Sequence, residues 1–467
     1  MQVTKLIAIL LLLAGIASNK TIANEYQFTA EEQAEIDAFC KEFGSDVKAA
    51  DEDGYTLLHK AVRIQYHDHH RNLVDKDWGI EIVRFLLSRG AIIDATDKWN
   101  RMPLHIAMIN GKNIDVIKLL VTEGADVNAK GWRGNIPLYD GIFMRNPGVE
   151  TVKFLVSKGA NIHVKNDDDS TLLHAATNSA TSPKEKDEII KFLIGEGADI
   201  YATNRYGDIP LLWMAWHMND VELFVSLDAD MNTKDKDDRT LLHYAGRNEN
   251  VEFVKFFIAK GLDVNAKDKN DFIPLHSASS NSNVEVAKFL VSKGANVKAK
   301  SNAGFTPLYS AASNNNIEVI KFLISKGADV NATNNNGSTM LHRASLKGSN
   351  VEAVKFFLAE GIDVNAKEQD GKTPLHWAAR FNGMDIEVLK ELISAGEDVN
   401  VKNRDGNTPL HEAAQGFPSI EAVKFLVSKG ANVKAKNGMF GLYGKTPLDV
   451  AKENGNTEVI EYLENVK

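Results

Sequence analysis

The sequence predicts an all-α solenoid built from about twelve helix–turn–helix repeats. A Thr-Pro-Leu-His motif, or a close variant of it, recurs twelve times at a period near 33 residues. A second, apolar motif recurs with the same period. Repetition at periods of about 20 to 50 residues is typical of stacked repeat units. Because one hydrophobic core rarely exceeds about 300 residues, the length of 467 residues also favours an array.

The N-terminus has the pattern of an export signal. Lys5 supplies a positive charge, and residues 6–16 form an apolar run that is too short to span a bilayer comfortably. Small residues suit cleavage at two possible sites, after Ala17 or after Ala23. Residues 1–23 are therefore predicted to be a signal peptide. The alternative is an uncleaved membrane anchor. A cleaved signal predicts a secreted or periplasmic protein that has no membrane attachment afterwards.

The repeated lines divide the rest of the chain. Residues 24–51 are predicted to form an N-terminal capping half-repeat, because a terminal unit needs a polar outer face. Residues 52–467 are predicted to form the array, with repeats near residues 52–97, 98–131, 132–166, 167–204, 205–235, 236–268, 269–301, 302–334, 335–368, 369–403, 404–437 and 438–467.

Residues 373–376 illustrate how the first helix of a repeat begins. Thr373 can cap a free backbone N–H, and Pro374 suits the first helical position, where its missing N–H has no partner to lose. His376 lies three residues after the cap and can bond to the threonine hydroxyl. Eight of the thirteen histidines occupy this slot and are therefore interpreted as structural.

Residues 317–325 represent the second helix. Its apolar side chains form a broad stripe that one unit cannot bury alone but stacked units can: Ile317, Val319, Ile320, Phe322 and Leu323. Gly327 is predicted to end the helix, since glycine adopts the left-handed conformation at little cost.

The third and fifth copies depart from the pattern. Both the threonine and the histidine are replaced in these copies, by Ile136 and Tyr139 in the third and by Ile209 and Leu212 in the fifth. Apolar packing must substitute for the hydroxyl–imidazole bond there. The fifth copy also has Asp228 where glycine usually ends the helix, so residues 209–228 are predicted to be a weak point of the array.

These lines resemble ankyrin repeats. The matching residues include Thr-Pro-Leu-His at 373–376 and 408–411 and the second line at 423–436, and the resemblance extends over residues 29–467. It implies an ankyrin-repeat solenoid with β-turn fingers, a palm formed by the first helices, and protein binding through both. The composition of the repeats, rich in lysine, asparagine and isoleucine, is also similar to that of secreted ankyrin proteins of host-associated bacteria.

By this resemblance, the position after the histidine slot and the position three residues later face the palm. Aromatic and arginine side chains dominate the energetics of protein interfaces. We therefore expect two partner-binding clusters, the first formed by Trp213, Trp216, Tyr244 and Arg247 and the second by Arg343, Trp377 and Arg380. The alternative is that these large side chains simply pack on neighbouring first helices.

The finger of the last copy is lengthened and carries four apolar residues. A group of apolar side chains on a turn tip usually folds back or meets a partner, and both outcomes stay open here. The candidate residues are Met439, Phe440, Leu442 and Tyr443.

A histidine-rich loop is a weak candidate for metal binding. His67, His69 and His70 could ligate zinc or copper. Neighbouring residues in a loop do not fix a tetrahedral site, so a solvated loop is the favoured interpretation, and neither a resident metal nor a cofactor is expected.

We expect no enzymatic activity. Residues 411–415 begin like a metalloprotease helix, but Gln415 stands where the second histidine ligand is needed. The sequence contains no phosphate-binding loop and no nucleophile elbow.

The leading hypothesis is an exported, non-catalytic scaffold for protein–protein interaction, with a host-directed effector as one form of it. The alternative is a periplasmic or extracellular protective protein that sequesters a protein or a metal ligand. The net charge of -9 argues against nucleic acid as a partner. A monomer that binds a protein of unknown identity is expected.

Overall fold

The computed structural model describes residues 47–63, 77–110, 113–144, 148–179, 182–217, 221–226, 229–248, 250–280, 283–346, 350–381, 386–415, 420–438 and 444–466. These residues form α-helices and turns, with two isolated antiparallel bridges between Ala50 and Thr56 and between Lys234 and Thr240. The chain divides into two compact units, unit 1 (Met1–Leu227) and unit 2 (Asp228–Lys467). Across the described ranges, no helix is both long and apolar enough to span a bilayer.

The described residues of unit 1 form five helix pairs. Its described helices are α1 (Leu57–Arg63), α2 (Asp77–Ser88), α3 (Pro103–Asn110), α4 (Ile114–Thr122), α5 (Pro137–Met144), α6 (Val149–Ser157), α7 (Leu172–Asn178), α8 (Pro183–Gly195), α9 (Pro210–His217) and α10 (Val221–Ser226), with a short 3-10 turn at Trp132–Gly134.

In unit 2, the part that the structure describes forms seven helix pairs. Its described helices are α11 (Leu241–Ala245), α12 (Val251–Ala259), α13 (Pro274–Ser279), α14 (Val284–Ser292), α15 (Pro307–Ala312), α16 (Ile317–Ser325), α17 (Met340–Ala344), α18 (Val351–Ala359), α19 (Pro374–Phe381), α20 (Glu387–Ser394), α21 (Pro409–Gln415), α22 (Ile420–Ser428), α23 (Pro447–Asn454) and α24 (Thr457–Asn465).

Within each unit, helices stack on their counterparts in the next copy. In unit 2 the first helix α13 packs on α15, and the second helix α14 packs on α16. Of the predicted stripe on α16, Val319, Ile320 and Leu323 are fully buried, while Ile317 and Phe322 are half-buried. The all-α repeat stack predicted from the sequence is therefore confirmed.

Where a copy has the motif histidine, the histidine links that copy to the next. The Oγ1 atom of Thr373 lies 2.9 Å from Nδ1 of His376, as predicted, and the Thr373 N–H donates to the same nitrogen. On the other side of the ring, Nε2 donates to the carbonyl of Asn407 in the following copy at 3.0 Å. A carbonyl can only accept, so the ring is in the neutral Nε2–H form.

All eight motif histidines make this second bond. The accepting carbonyls belong to Arg101, Asn135, Asp208, Phe272, Phe305, Lys372, Asn407 and Lys445. The structural interpretation of these histidines is confirmed, and the histidine also proves to be a link between copies.

Apart from the lengthened last finger, the finger before a first helix is a five-residue turn, for example residues 97–101, 131–135, 166–170 and 204–208. Neighbouring finger tips share a backbone hydrogen bond, such as Asp167 N–H to the Arg133 carbonyl and Arg205 N–H to the Asp168 carbonyl, each 2.9 Å. The fourth finger residue adopts a positive φ, 77° at Gly207, where a Cβ atom would be strained. This ladder aligns the finger side chains along one edge of the stack.

The departures from the pattern have the expected apolar substitutes. Ile136, Ile209 and Leu212 are buried. Gly327 adopts a φ of 86°, as predicted for a helix end. Asp228 and most of the predicted capping half-repeat lie outside the described residues, as do residues 1–23.

Candidate functional site

A concavity of about 560 Å³ opens between the palm and the fingers of unit 1. It spans copies two to five, and its walls combine aromatic, arginine, amide and carboxyl side chains. We call it the aromatic concavity, and its lining residues are Trp99, Arg101, Ile109, Trp132, Arg133, Asn135, Tyr139, Asp140, Phe143, Met144, Asn166, Asp168, Ser170, Asn178, Asn204, Tyr206 and Asp208.

The finger wall of the concavity carries exposed aromatic rings beside arginines. Trp132 is 51% exposed and Tyr206 is 52% exposed, which is unusual for side chains of this size. The Arg133 guanidinium lies 4.7 Å from the centroid of the Trp132 ring, and the Arg101 guanidinium lies 4.6 Å from that of Trp99. Such cation–π contacts favour a fixed orientation of the rings.

The carboxylate of Asp168 joins three finger residues. Its Oδ1 accepts from Nη1 of Arg205 at 3.0 Å and from the Tyr206 hydroxyl at 3.3 Å, while Oδ2 lies 3.6 Å from Nη1 of Arg133. Because these groups come from consecutive fingers, Asp168 fixes the spacing of the rings above it. The finger wall is thereby pre-organised, which lowers the entropy cost of binding.

Helix α5 supplies the palm wall. Phe143 is 40% exposed, and its ring stacks on Tyr139 with centroids 6.2 Å apart. Between them in sequence lies Asp140, whose Oδ1 accepts a hydrogen bond from Nδ2 of Asn135 at 2.7 Å. Burial raises the pKa of Asp140 to about 6. The hydrogen bond from Asn135 and, to a smaller extent, the charge of Arg101 lower this pKa without offsetting the effect of burial. The palm wall therefore places a poorly solvated carboxyl group among aromatic rings.

The first predicted palm cluster is divided between the units. In unit 1, Trp213 and Trp216 are half-buried, and their rings lie 5.3 Å apart. In unit 2, Tyr244 is buried and its hydroxyl donates to Oδ2 of Asp235 at 2.9 Å, while Arg247 is exposed. Tyr244 thus has a structural role within its own unit, and partner contact by this cluster stays a prediction.

The second predicted cluster is largely engaged with its own unit. Nη1 of Arg380 lies 3.0 Å from Oε2 of Glu412, and the half-buried Trp377 packs edge-on against His342 at 5.5 Å. The Arg343 guanidinium lies 5.7 Å from the centroid of the Tyr309 ring. These contacts match the alternative of packing on neighbouring first helices, and partner contact here also stays a prediction.

Two further candidates lie outside the described residues: the finger residues Met439, Phe440, Leu442 and Tyr443 and the loop residues His67, His69 and His70. In the part of the chain that the structure does describe, no group of three or more histidine, cysteine or acidic side chains is placed to hold a metal ion.

Sequence reasoning missed the finger wall, although a signal for it exists. Aligning the fingers places Trp99 and Tyr206 at a tip position that holds Asp, Asn, Arg or Ala in most other copies, with Trp132 one position earlier. The predicted clusters consist of first-helix positions, and the finger tips lie outside the first helices. Asp140 and Phe143 do occupy palm slots, but the prediction from residue type favours tryptophan and arginine.

Comparison with known families gives an extended match. A family model described as ankyrin repeats (three copies) matches eight overlapping segments that together run from residue 30 to residue 466: 30–131, 76–166, 142–235, 211–301, 242–334, 295–368, 341–437 and 375–466.

Individual relatives match shorter stretches. A provisionally named ankyrin repeat protein of fowlpox virus (strain NVSL) is 49% identical over 59 residues, 12% of this chain and 12% of that protein. A provisionally named E3 ubiquitin-protein ligase of Arabidopsis thaliana is 38% identical over 105 residues, 22% of this chain and 27% of that protein. The B-cell lymphoma 3 protein homolog of Mus musculus is 32% identical over 132 residues, 28% of this chain and 26% of that protein. The chain thus covers about a quarter or less of each relative's length.

Proposed function

This chain belongs to the ankyrin repeat family, and we propose that it is a scaffold that binds a partner protein in its aromatic concavity. Ankyrin repeats mediate protein–protein interaction, and proteins of this family are generally non-catalytic. The finer assignments, namely the binding surface, export and the class of partner, are proposals.

One observation carries the choice of surface. Trp132, Phe143 and Tyr206 face a single concavity, and each is at least 40% exposed. Tryptophan, tyrosine and arginine are the side chains that most often dominate binding energy at interfaces. Leaving such rings in water is unfavourable, so a partner that covers them gains the free energy of their burial.

The test is affinity capture with the purified chain and the W132A/F143A/Y206A variant. All three side chains project into solvent, so the variant is expected to fold, which circular dichroism checks. The matched control is Tyr201→Ala, because Tyr201 is 41% exposed but does not line the concavity. We expect the triple variant to lose the partner and the control to keep it. Full retention by the triple variant would overturn the proposal.

We also propose that the chain is exported and that a signal peptide within residues 1–23 is removed. The apolar run at 6–16 after Lys5 supports this. Sequencing the N-terminus of the protein recovered from the periplasm or medium should give Ser18 or Asn24 as the first residue. An intact Met1 on protein retained in the cell would contradict export. A host-directed effector, by analogy with secreted ankyrin proteins, requires this step.

A protective sequestering role is the alternative. The sequestered ligand would be a protein or a metal, and the metal form depends on His67, His69 and His70. Metal analysis of the purified chain distinguishes it from the scaffold, since a stoichiometric metal that is lost when all three are replaced by alanine would favour sequestration.

A further inference from the structure

The carboxyl group of Asp140 is buried without a cation partner. The residue is 5% exposed, and its Oδ1 bonds Asn135 at 2.7 Å. Among the described residues, the structure gives Oδ2 no hydrogen bond and Asp140 no ion pair. Burying a carboxylate without a paired charge is unfavourable. Asp140 also lines the aromatic concavity, so the group is within reach of a bound molecule.

Both arginines that line the concavity are committed elsewhere. Nη2 of Arg101 lies 2.8 Å from Oδ2 of Asp97, and its Nε donates to the same oxygen at 2.8 Å. Arg133 stacks over Trp132 and faces Asp168. The charge of Arg101 lowers the pKa of Asp140, but among the described residues neither guanidinium forms an ion pair with it. Asp168 is paired with Arg133 and Arg205, whereas Asp140 has no ion pair among the described residues, so Asp140 is the lining carboxyl group that a cationic ligand could pair with.

Copy eleven shows how the same slot is completed elsewhere in this chain. Glu412 occupies the palm slot that corresponds to Asp140, and its side chain is 1% exposed. It is paired with Nζ of Lys372 at 3.3 Å and Nη1 of Arg380 at 3.0 Å, both from the preceding copy. A buried acidic residue in this palm slot is thus paired with cations when the preceding copy supplies them.

The preceding copy does not supply them to Asp140. Aligning copy two with copy ten places Arg101 where Lys372 lies and Ile109 where Arg380 lies. Arg101 turns to Asp97, as described above, and Ile109 carries no charge. Ile109 also lines the concavity, so the position that a guanidinium fills in copy ten opens onto the binding surface in copy two.

We propose that the aromatic concavity binds an arginine side chain of the partner protein, whose guanidinium reaches Oδ2 of Asp140. This deepens the proposed function and rests on it. The partner would supply to copy three the group that Arg380 supplies to Glu412 within the chain. Guanidinium is favoured over ammonium because it is planar and stacks on aromatic faces, such as those of Phe143 and Trp132, while it donates to a carboxylate.

The test uses two blocked pentapeptides, alanine throughout except for a central arginine or its uncharged analogue citrulline. Binding to the purified chain is followed by NMR of the peptide. We expect the arginine peptide to bind at least tenfold more tightly than the citrulline peptide. Asp140→Asn should abolish that difference, and Tyr201→Ala should keep it. Equal binding of the two peptides to the wild-type chain, or a difference that survives in Asp140→Asn, overturns the proposal.

Ile109→Arg provides a second route that does not depend on removing the acid. It places a guanidinium of the chain itself where Arg380 lies in copy ten, so it should block the arginine peptide and raise the melting temperature. The rise should be absent when Asp140→Asn is combined with it. Unchanged peptide binding by a folded Ile109→Arg variant contradicts the proposal.

The two proposals fail separately. Suppose that W132A/F143A/Y206A loses the captured partner, while Asp140→Asn keeps the partner and binds each peptide with the same affinity as the wild type. The proposed binding surface is then supported and the proposed arginine site is wrong. If the triple variant keeps the partner but the arginine preference depends on Asp140, the arginine site stands and the aromatic contribution falls.

Discussion

Acidification should destabilise the array through its motif histidines, and His376 allows the effect to be calculated. Burial lowers its pKa to about 4 from 6.5, although the bond to the Asn407 carbonyl opposes this. Its Nδ1 accepts a hydrogen bond from the Thr373 N–H. A proton on Nδ1 would remove that acceptor and place two N–H donors next to each other, which is unfavourable. The native ring therefore stays neutral at pH 5, whereas the unfolded chain binds a proton.

The sign and size follow from that difference. Between pH 6.5 and 4 the unfolded state holds more protons than the native state, so the free energy of unfolding falls as the pH falls. From pH 7.5 to pH 5, a shift from 6.5 to 4 amounts to about 2 kcal/mol for one histidine. His105 and His342 have pKa values lowered to about 4 by burial as well, so they should add similar amounts.

Urea unfolding followed by circular dichroism at pH 7.5 and pH 5 measures the effect. In His376→Gln the amide can accept from Thr373 and donate to Asn407 but cannot titrate, so this variant should lose about 2 kcal/mol less than the wild type. His163→Gln is the control, because His163 is exposed and lies outside the motif. The reasoning is refuted if wild type and His376→Gln lose the same stability on acidification.

Three other predictions concern the finger glycine Gly304, the buried Glu397 and the segment of residues 209–228. Gly304→Ala should lower the melting temperature more than Gly327→Ala. A Cβ atom at Gly304 would lie 2.7 Å from the backbone nitrogen of Asn335, whereas a Cβ atom at Gly327 would have no atom beyond its chain neighbours within 4 Å. Equal decreases in melting temperature would contradict this. Glu397 occupies a slot that holds alanine at Ala160, Ala295, Ala328 and Ala431, and burial raises its pKa to about 8 from 4.5. Its native proton is retained between pH 4.5 and 8, so stability falls as the pH rises, and Glu397→Ala should gain about 3 kcal/mol more at pH 8 than at pH 5 in urea unfolding. Residues 209–228 should exchange their amide hydrogens fastest within the array, and slowest exchange there would refute the predicted weak point.

Local chemistry made much of the fold predictable from sequence. The Thr373–His376 bond and the positive φ at Gly327 depend on residues a few positions apart, so the sequence alone is enough to anticipate them. The onward bond from His376 to Asn407 was not foreseen, because its acceptor is a backbone carbonyl that any residue could provide.

The candidate site was less predictable, because availability for binding depends on neighbours. Arg380 and Arg343 have the same residue type, yet Arg380 is occupied by Glu412 from the following copy. Trp132 and Trp213 are likewise identical in type, but one is 51% exposed and the other is half-buried against Trp216. Ranking residues by type cannot separate such cases. Comparing slots between adjacent copies can separate some of them.

The histidine link has a consequence for how such a chain can diversify. It is received by a main-chain oxygen, so the residue that receives it can be any type without loosening the array. Arg101, Asn135 and Asp208 all receive it, and all three present their side chains to the aromatic concavity. A change of side chain at these positions therefore keeps the carbonyl that accepts the histidine link, so this link between copies does not restrict which side chain lines the concavity.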